Sequence, residues 1–111
     1  MEKEFVLKVI NDVLDKCIND EVPFSVNHWK NEISVYPDEG RDYSKCMNII
    51  LNEGPKEKTN PDSVKINIYN IGFSTIDLTD SECIEIRYKI NKAIEVADVH
   101  LFESVRKIAK L

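Results

Sequence analysis

The stretch 63–90, SVKINIYNIGFSTIDLTDSECIEIRYKI, limits this chain more than any other. Val64, Ile66 and Ile68 alternate with polar residues, and Ile84, Ile86, Tyr88 and Ile90 repeat the pattern. A period of two puts such residues on one face of a strand, so a half-buried sheet must form part of the core. The segment divides into a strand over 64–69, a turn or bulge at Asn70, Ile71 and Gly72, and a second strand over 73–78. Gly72 can adopt the positive φ of a bulged turn.

Two readings compete for 79–90. Thr79 followed by Glu82 has the spacing of a helix capping box, and Cys83, Ile86, Ile90, Ala93, Ala97, Leu101 and Val105 then form one long helical stripe. On a helix, however, Ile84 and Ile86 point about 200° apart. On a strand, Ile84, Ile86, Tyr88 and Ile90 share a face, leaving Glu85, Arg87 and Lys89 on the other. The periodicity therefore favours a turn at 79–82 and a strand over 83–90. Asn91 then caps a closing amphipathic helix through Ala93, Ile94, Ala97, Leu101, Val105 and Ile108.

Upstream, Val6, Val9, Ile10, Val13, Leu14, Cys17 and Ile18 recur at helical spacing over 2–20 and predict a helix that packs on a sheet. After Asp20 the period becomes two: Val22, Phe24, Val26 and His28 form a strand that Pro23 marks as an edge or a start. Lys30, Asn31 and Glu32 turn the chain into a second strand through Ile33 and Val35, and 38–42 form a loop. Residues 43–51 fit either period, and the alternation of Met47, Ile49 and Leu51 favours strand. The polar segment 52–62, including the lysine-rich loop 55–58, is expected to be a mobile, solvated connection.

The resulting fold class is α+β: an antiparallel β-sheet of about five to six strands flanked by an N-terminal and a C-terminal amphipathic helix. A chain of 111 residues is the size of one domain, 1–111, and buries roughly 65% of its unfolded surface. Its composition, 42% hydrophobic and 32% charged, is that of a folded protein.

Charge and motif content exclude several functions. Twenty acidic against 15 basic residues give a net charge of −5, which opposes direct binding to nucleic acid. No run approaches the ~20 apolar residues of a membrane span, and the acidic first residues do not resemble a secretory leader. Cys17, Cys46 and Cys83 are odd in number and widely spaced, so they are read as buried free thiols in a reducing, cytoplasmic setting. The chain contains no CxxC, no HExxH and no glycine-rich phosphate loop, so no metal, cofactor or catalytic residue is assigned. His100 and Glu103 could share a helix face, but a histidine beside an apolar stripe is read as a packed or partly exposed residue.

Elimination leaves a protein-binding module, of an inhibitor, immunity-type or chaperone-like adaptor kind, whose partner is another protein. The candidate contact residues are Trp29, beside the predicted hairpin tip, and the acidic turn of Asp77, Asp80, Glu82 and Glu85. A lone Trp in a small domain is first read as covering the core, with an interface as its second role. The solvated turn is likewise the plain reading of the carboxylates. Two other functions compete: a small ligand-binding or hydrolytic domain with a pocket between sheet and helices, and an acidic mimic of nucleic acid. A bare sheet edge or a spare helical stripe could also pair two copies as a homodimer.

Overall fold

A computed structural model describes residues 2–54, 61–69 and 71–109. Helix α1 (Lys3–Ile18) leads into strands β1 (Phe24–Asn27), β2 (Glu32–Val35), β3 (Met47–Asn52), β4 (Ser63–Ile68) and β5 (Gly72–Asp77), and helix α2 (Asp80–Ala109) closes the chain. The five strands pair in sequence order as an antiparallel meander, with β1 and β5 at the edges. The architecture is the expected α+β fold, with five strands and one layer of helices.

Register explains which face the helices cover. Val26, Ile33, Ile49 and Ile66 stand opposite one another across four strands, and Leu51 pairs with Val64. Against this face α1 buries Val6, Ile10, Leu14 and Cys17, while α2 buries Cys83, Ile86, Ile90 and Ala93. The centre of the layer is filled by side chains almost entirely removed from solvent. The opposite face carries Ser25, Ser34, Asn48 and Asn67 in one row and Asn27, Glu32, Ile50 and Lys65 in the next. An antiparallel sheet with one dry and one polar face gives this division.

The strand expected over 83–90 does not form. These residues belong to α2, and Asn91 lies within the helix rather than at its cap. The capping box is made: the Thr79 N–H donates to Glu82 Oε1 at 2.9 Å, and the Glu82 N–H donates to Thr79 Oγ1 at 3.2 Å. The misleading alternation comes from two interleaved helical pairs. Ile86 and Ile90 face the sheet, whereas Ile84 and Tyr88 are 57% and 61% exposed on the other side. Sequence reasoning required all four to be buried, but folded surfaces carry much apolar area, so exposing one pair costs little beside thirty helical residues in one run.

Other expectations hold with small adjustments. Residues 43–51 divide into a 3₁₀ turn at Tyr43–Lys45, capped by Asp42, and strand β3. Gly72 has φ +122°, the conformation anticipated for the β4–β5 turn, although Asn70 lies outside the described residues. Residues 55–60, most of the predicted mobile connection and its lysine-rich loop, also lie outside them.

The helices run side by side in the same direction. Lys3 pairs with Glu82 at 2.9 Å near their starts, and Asp15 pairs with Lys89 at 3.0 Å further along. Helix α2 starts just past edge strand β5 and has reached His28, at the β1 edge, by Asp98. Five strands span roughly 20 Å, and α1, at 16 residues, is about 24 Å long. Helix α2, at 30 residues, is about 45 Å long. Its last turns therefore overhang the β1 edge, and every residue from 98 to 109 is exposed.

Candidate functional site

The β1–β2 connection places its aromatic residue by local hydrogen bonding. Asn27 Oδ1 accepts from the Trp29 N–H at 3.1 Å, starting the 3₁₀ turn His28–Lys30, and Asn31 ends it in the left-handed region at φ 48°. The turn is too short to fold Trp29 back over the sheet. The indole is 98% exposed, which overturns the expectation that the lone Trp covers the core.

A second aromatic side chain stands near it. Asp42 Oδ1 accepts from the Ser44 N–H at 2.9 Å and from Ser44 Oγ at 2.7 Å, and these bonds hold the Asp42 carboxyl below its usual pKa. The turn so fixed sets Tyr43 edge-on against buried Tyr36, with ring centres 5.6 Å apart, and leaves Tyr43 71% exposed. Tyr36 OH shares a 3.0 Å hydrogen bond with Ser25 Oγ, and burial is the main cause that pushes its phenol pKa up. Arg41 donates to the Phe24 carbonyl at 3.1 Å, which ties the 37–46 loop to the edge strand.

Between the two exposed rings lies a hollow of about 470 Å³ on the polar face of the sheet. Its floor is a hydrogen-bonded set: Asn48 Nδ2 donates to Ser34 Oγ at 3.2 Å and to Glu32 Oε2 at 3.4 Å, while Cys46 Sγ donates to Asn48 Oδ1 at 3.3 Å. A second hollow, about 390 Å³, lies on the other side of Trp29 against Asn31, Ile50 and Glu53. Apolar rings at the rim and satisfied polar groups on the floor suit a surface that docks a partner and fixes its orientation by hydrogen bonds.

The predicted acidic residues are placed differently. Asp77 ends β5, Asp80 and Glu82 occupy the first turn of α2, and Glu85 is one turn on, 4.0 Å from Lys89. Glu82 is committed to the capping box and to Lys3. The bond from the Thr79 N–H is the largest cause that lowers its pKa, and the Lys3 ammonium adds to it. Carboxylates at a helix start are stabilised by the dipole and the free N–H groups without any partner. None of the four lines either hollow beside Trp29. The structure therefore does not join the two halves of the site expected from sequence. Tyr43, near Trp29 in sequence, could already be read as supporting it, whereas Asn48 and Ser34 were missed because a hollow made by four separate segments leaves no spacing signal.

The two histidines each lie beside a carboxylate. His28 lies 3.6 Å from Asp98, and His100 lies 3.0 Å from Asp20, each tying the β1 region to α2. Among the described residues no group of three His, Cys, Asp or Glu side chains converges as metal ligands. All three cysteines are free and buried. Burial pushes the Cys17 thiol up to about 12, and burial with the neighbouring Asp62 and Glu53 carboxylates pushes Cys83 up to about 11.

The thiolate is the reactive form, so these two thiols are expected to resist iodoacetamide at pH 8 until the chain is denatured. Rapid native labelling at either position would show that its burial is not maintained. The unfolded thiols ionise near 9.0. The stability linked to the two protons is therefore intact below that pH and is lost as pH rises from there through the folded values.

No family model, curated protein or solved structure matches this chain.

Proposed function

We propose that the protein is a non-enzymatic binding module that acts on another protein through the Trp29–Tyr43 face, in the manner of an inhibitor, an immunity-type protein or a chaperone-like adaptor. One observation carries the proposal: the sole Trp is held by a capped turn at 98% exposure, beside a polar hollow. An exposed indole is costly to leave in water, and Trp is among the side chains that most often anchor protein interfaces. Asp77, Asp80 and Glu85 serve at most as a separate charged flank, because Glu82 is used by the fold. Three free buried thiols support a reducing, cytoplasmic setting. No described helix is long and apolar enough to cross a membrane.

The test compares wild-type and Trp29→Ala baits in affinity capture from host lysate, read by quantitative mass spectrometry. Circular dichroism establishes that both are folded. A specific protein captured by wild type is expected to be depleted about tenfold or more by the variant. Equal recovery of every captured protein by both baits would remove this face from consideration.

A second reading, the binding of a small apolar ligand, is favoured by one feature. A hollow of about 340 Å³ opens between α1 and the β4–β5 edge, lined by Phe5, Val9, Ile66, Ile68 and Ile71. It forms because β5 presents only Gly72 and Ser74 opposite Ile68 and Ile66. Acidic mimicry of nucleic acid finds no such support. Lys3, Lys8, Arg87 and Lys89 interrupt the negative surface in ion pairs with Glu82, Asp12, Glu53 and Asp15.

A further inference from the structure

We infer that the hollow between Trp29 and Tyr43 receives a guanidinium group, so that the partner presents an arginine side chain to it. The inference rests on the reading of this face as a protein-binding surface and names what that surface selects. Among the described residues that line the hollow, Glu32 is the sole acid, and no lysine or arginine is present. The one basic group there, His28, lies 3.6 Å from Asp98.

The sheet itself leaves Glu32 without a counter-charge. Its cross-strand neighbours are Asn27 and Ile50, both uncharged. The lysine of the same row, Lys65, stands beyond Ile50 on β4 and carries its ammonium over the Phe73 ring of β5, 4.5 Å from the ring centre. Among the described residues Glu32 has no ion pair, and the hydrogen bond it accepts is the 3.4 Å contact from Asn48. The Asn48 amide nitrogen is already spent on Glu32 and Ser34. The centre of the floor therefore presents mainly oxygen lone pairs around a half-buried carboxylate. A buried charge without a partner is costly, and a cationic hydrogen-bond donor removes that cost.

The rim chooses among cations. A guanidinium is planar, forks to two oxygens and stacks on aromatic faces, whereas an ammonium is a compact and strongly hydrated charge. Trp has the aromatic face that attracts a cation best, and the Trp29 ring stands exposed at the edge of the hollow. An arginine can lay its plane against the indole while its N–H groups reach Glu32. About 470 Å³ is ample room for one such side chain, and the net charge of −5 favours the approach of a basic partner.

Titration of the full chain with acetyl-Gly-Arg-Gly-amide tests the inference, read by the fluorescence of Trp29, the only tryptophan in the sample. Wild type is expected to show a saturable change in the low-millimolar range, and the peptide with neutral citrulline in place of arginine should bind about fivefold more weakly or worse. Glu32→Gln retains an oxygen for Asn48 and should bring the arginine peptide down to the citrulline level. Glu95→Gln removes an equal charge from the exposed side of α2, outside the hollow, and should leave the arginine peptide unchanged. Circular dichroism establishes that both variants are folded, and the comparison of the two peptides on wild type does not depend on them. No saturable change, equal binding of the two peptides, or a loss in Glu95→Gln as large as in Glu32→Gln would overturn the inference. Capture that depends on Trp29 together with equal binding of the two peptides would overturn it while leaving the binding face in place.

Discussion

Ile86→Ala is expected to destabilise the protein by about 3 kcal/mol, whereas Ile84→Ala should leave stability within about 0.5 kcal/mol of wild type. Ile86 is 1% exposed and packs between α2 and the sheet, so shortening it removes buried apolar surface and leaves a cavity. Ile84 projects into solvent from the opposite side of the same helix, where alanine offers better helix propensity and loses little packing. In urea the Ile86 variant should show a clearly lower midpoint with an unchanged slope. The comparison also discriminates the fold of the segment. On a strand both residues would share the buried face, so equal losses at the two positions would mean that 83–90 is not helical.

The second large effect is expected at Asp62, one of the few polar residues inside the molecule. Its Oδ1 accepts from the Gly54 N–H at 3.0 Å, and its backbone carbonyl accepts from the Leu78 N–H at 2.7 Å. It thus fixes both ends of the β3–β4 connection against the segment that leads into α2. Asp62→Ala leaves the Gly54 N–H unsatisfied in a partly buried position and should cost about 2 kcal/mol. Asp62→Asn retains an oxygen acceptor at the same place and should recover about half of that loss. Thermal unfolding followed by circular dichroism separates the two variants, and equal midpoints would show that the side-chain oxygen is not what holds the connection.

How much of the fold can be read from the chain depends on how local its causes are. Helix α1 follows from a stripe contained within its own residues, and the β4–β5 hairpin follows from two alternating runs around Gly72. The start of α2 was also written locally, in Thr79 and Glu82. It lost to an alternation that is meaningful only if every apolar residue must be buried. That premise fails at Ile84 and Tyr88, and it fails again along the overhang.

The candidate site was less legible. Trp29 was identified by residue type, but its exposure is set by a three-residue turn too short to cover it. Tyr43, Ser34 and Asn48 join it through pairing across β1, β2 and β3 and through the loop before β3. Such register is a property of the assembled sheet. The acidic residues form a group in sequence for a reason unrelated to binding, since a helix start attracts carboxylates whether or not a partner exists.

The meander has a consequence for the order in which the molecule can assemble during synthesis. Every strand pairs with its neighbour in sequence, so the sheet can form hairpin by hairpin as the chain emerges. The cover for Ile33, Ile49 and Val64 comes from both ends of the chain, and the α2 share is made last. Until residues 83–93 have been synthesised, α1 has only half of a helical layer to join, and the apolar side of the sheet remains open to other nascent chains. Docking of α2 is thus the step that closes the native state, and it ties survival of the whole domain to completion of its final helix.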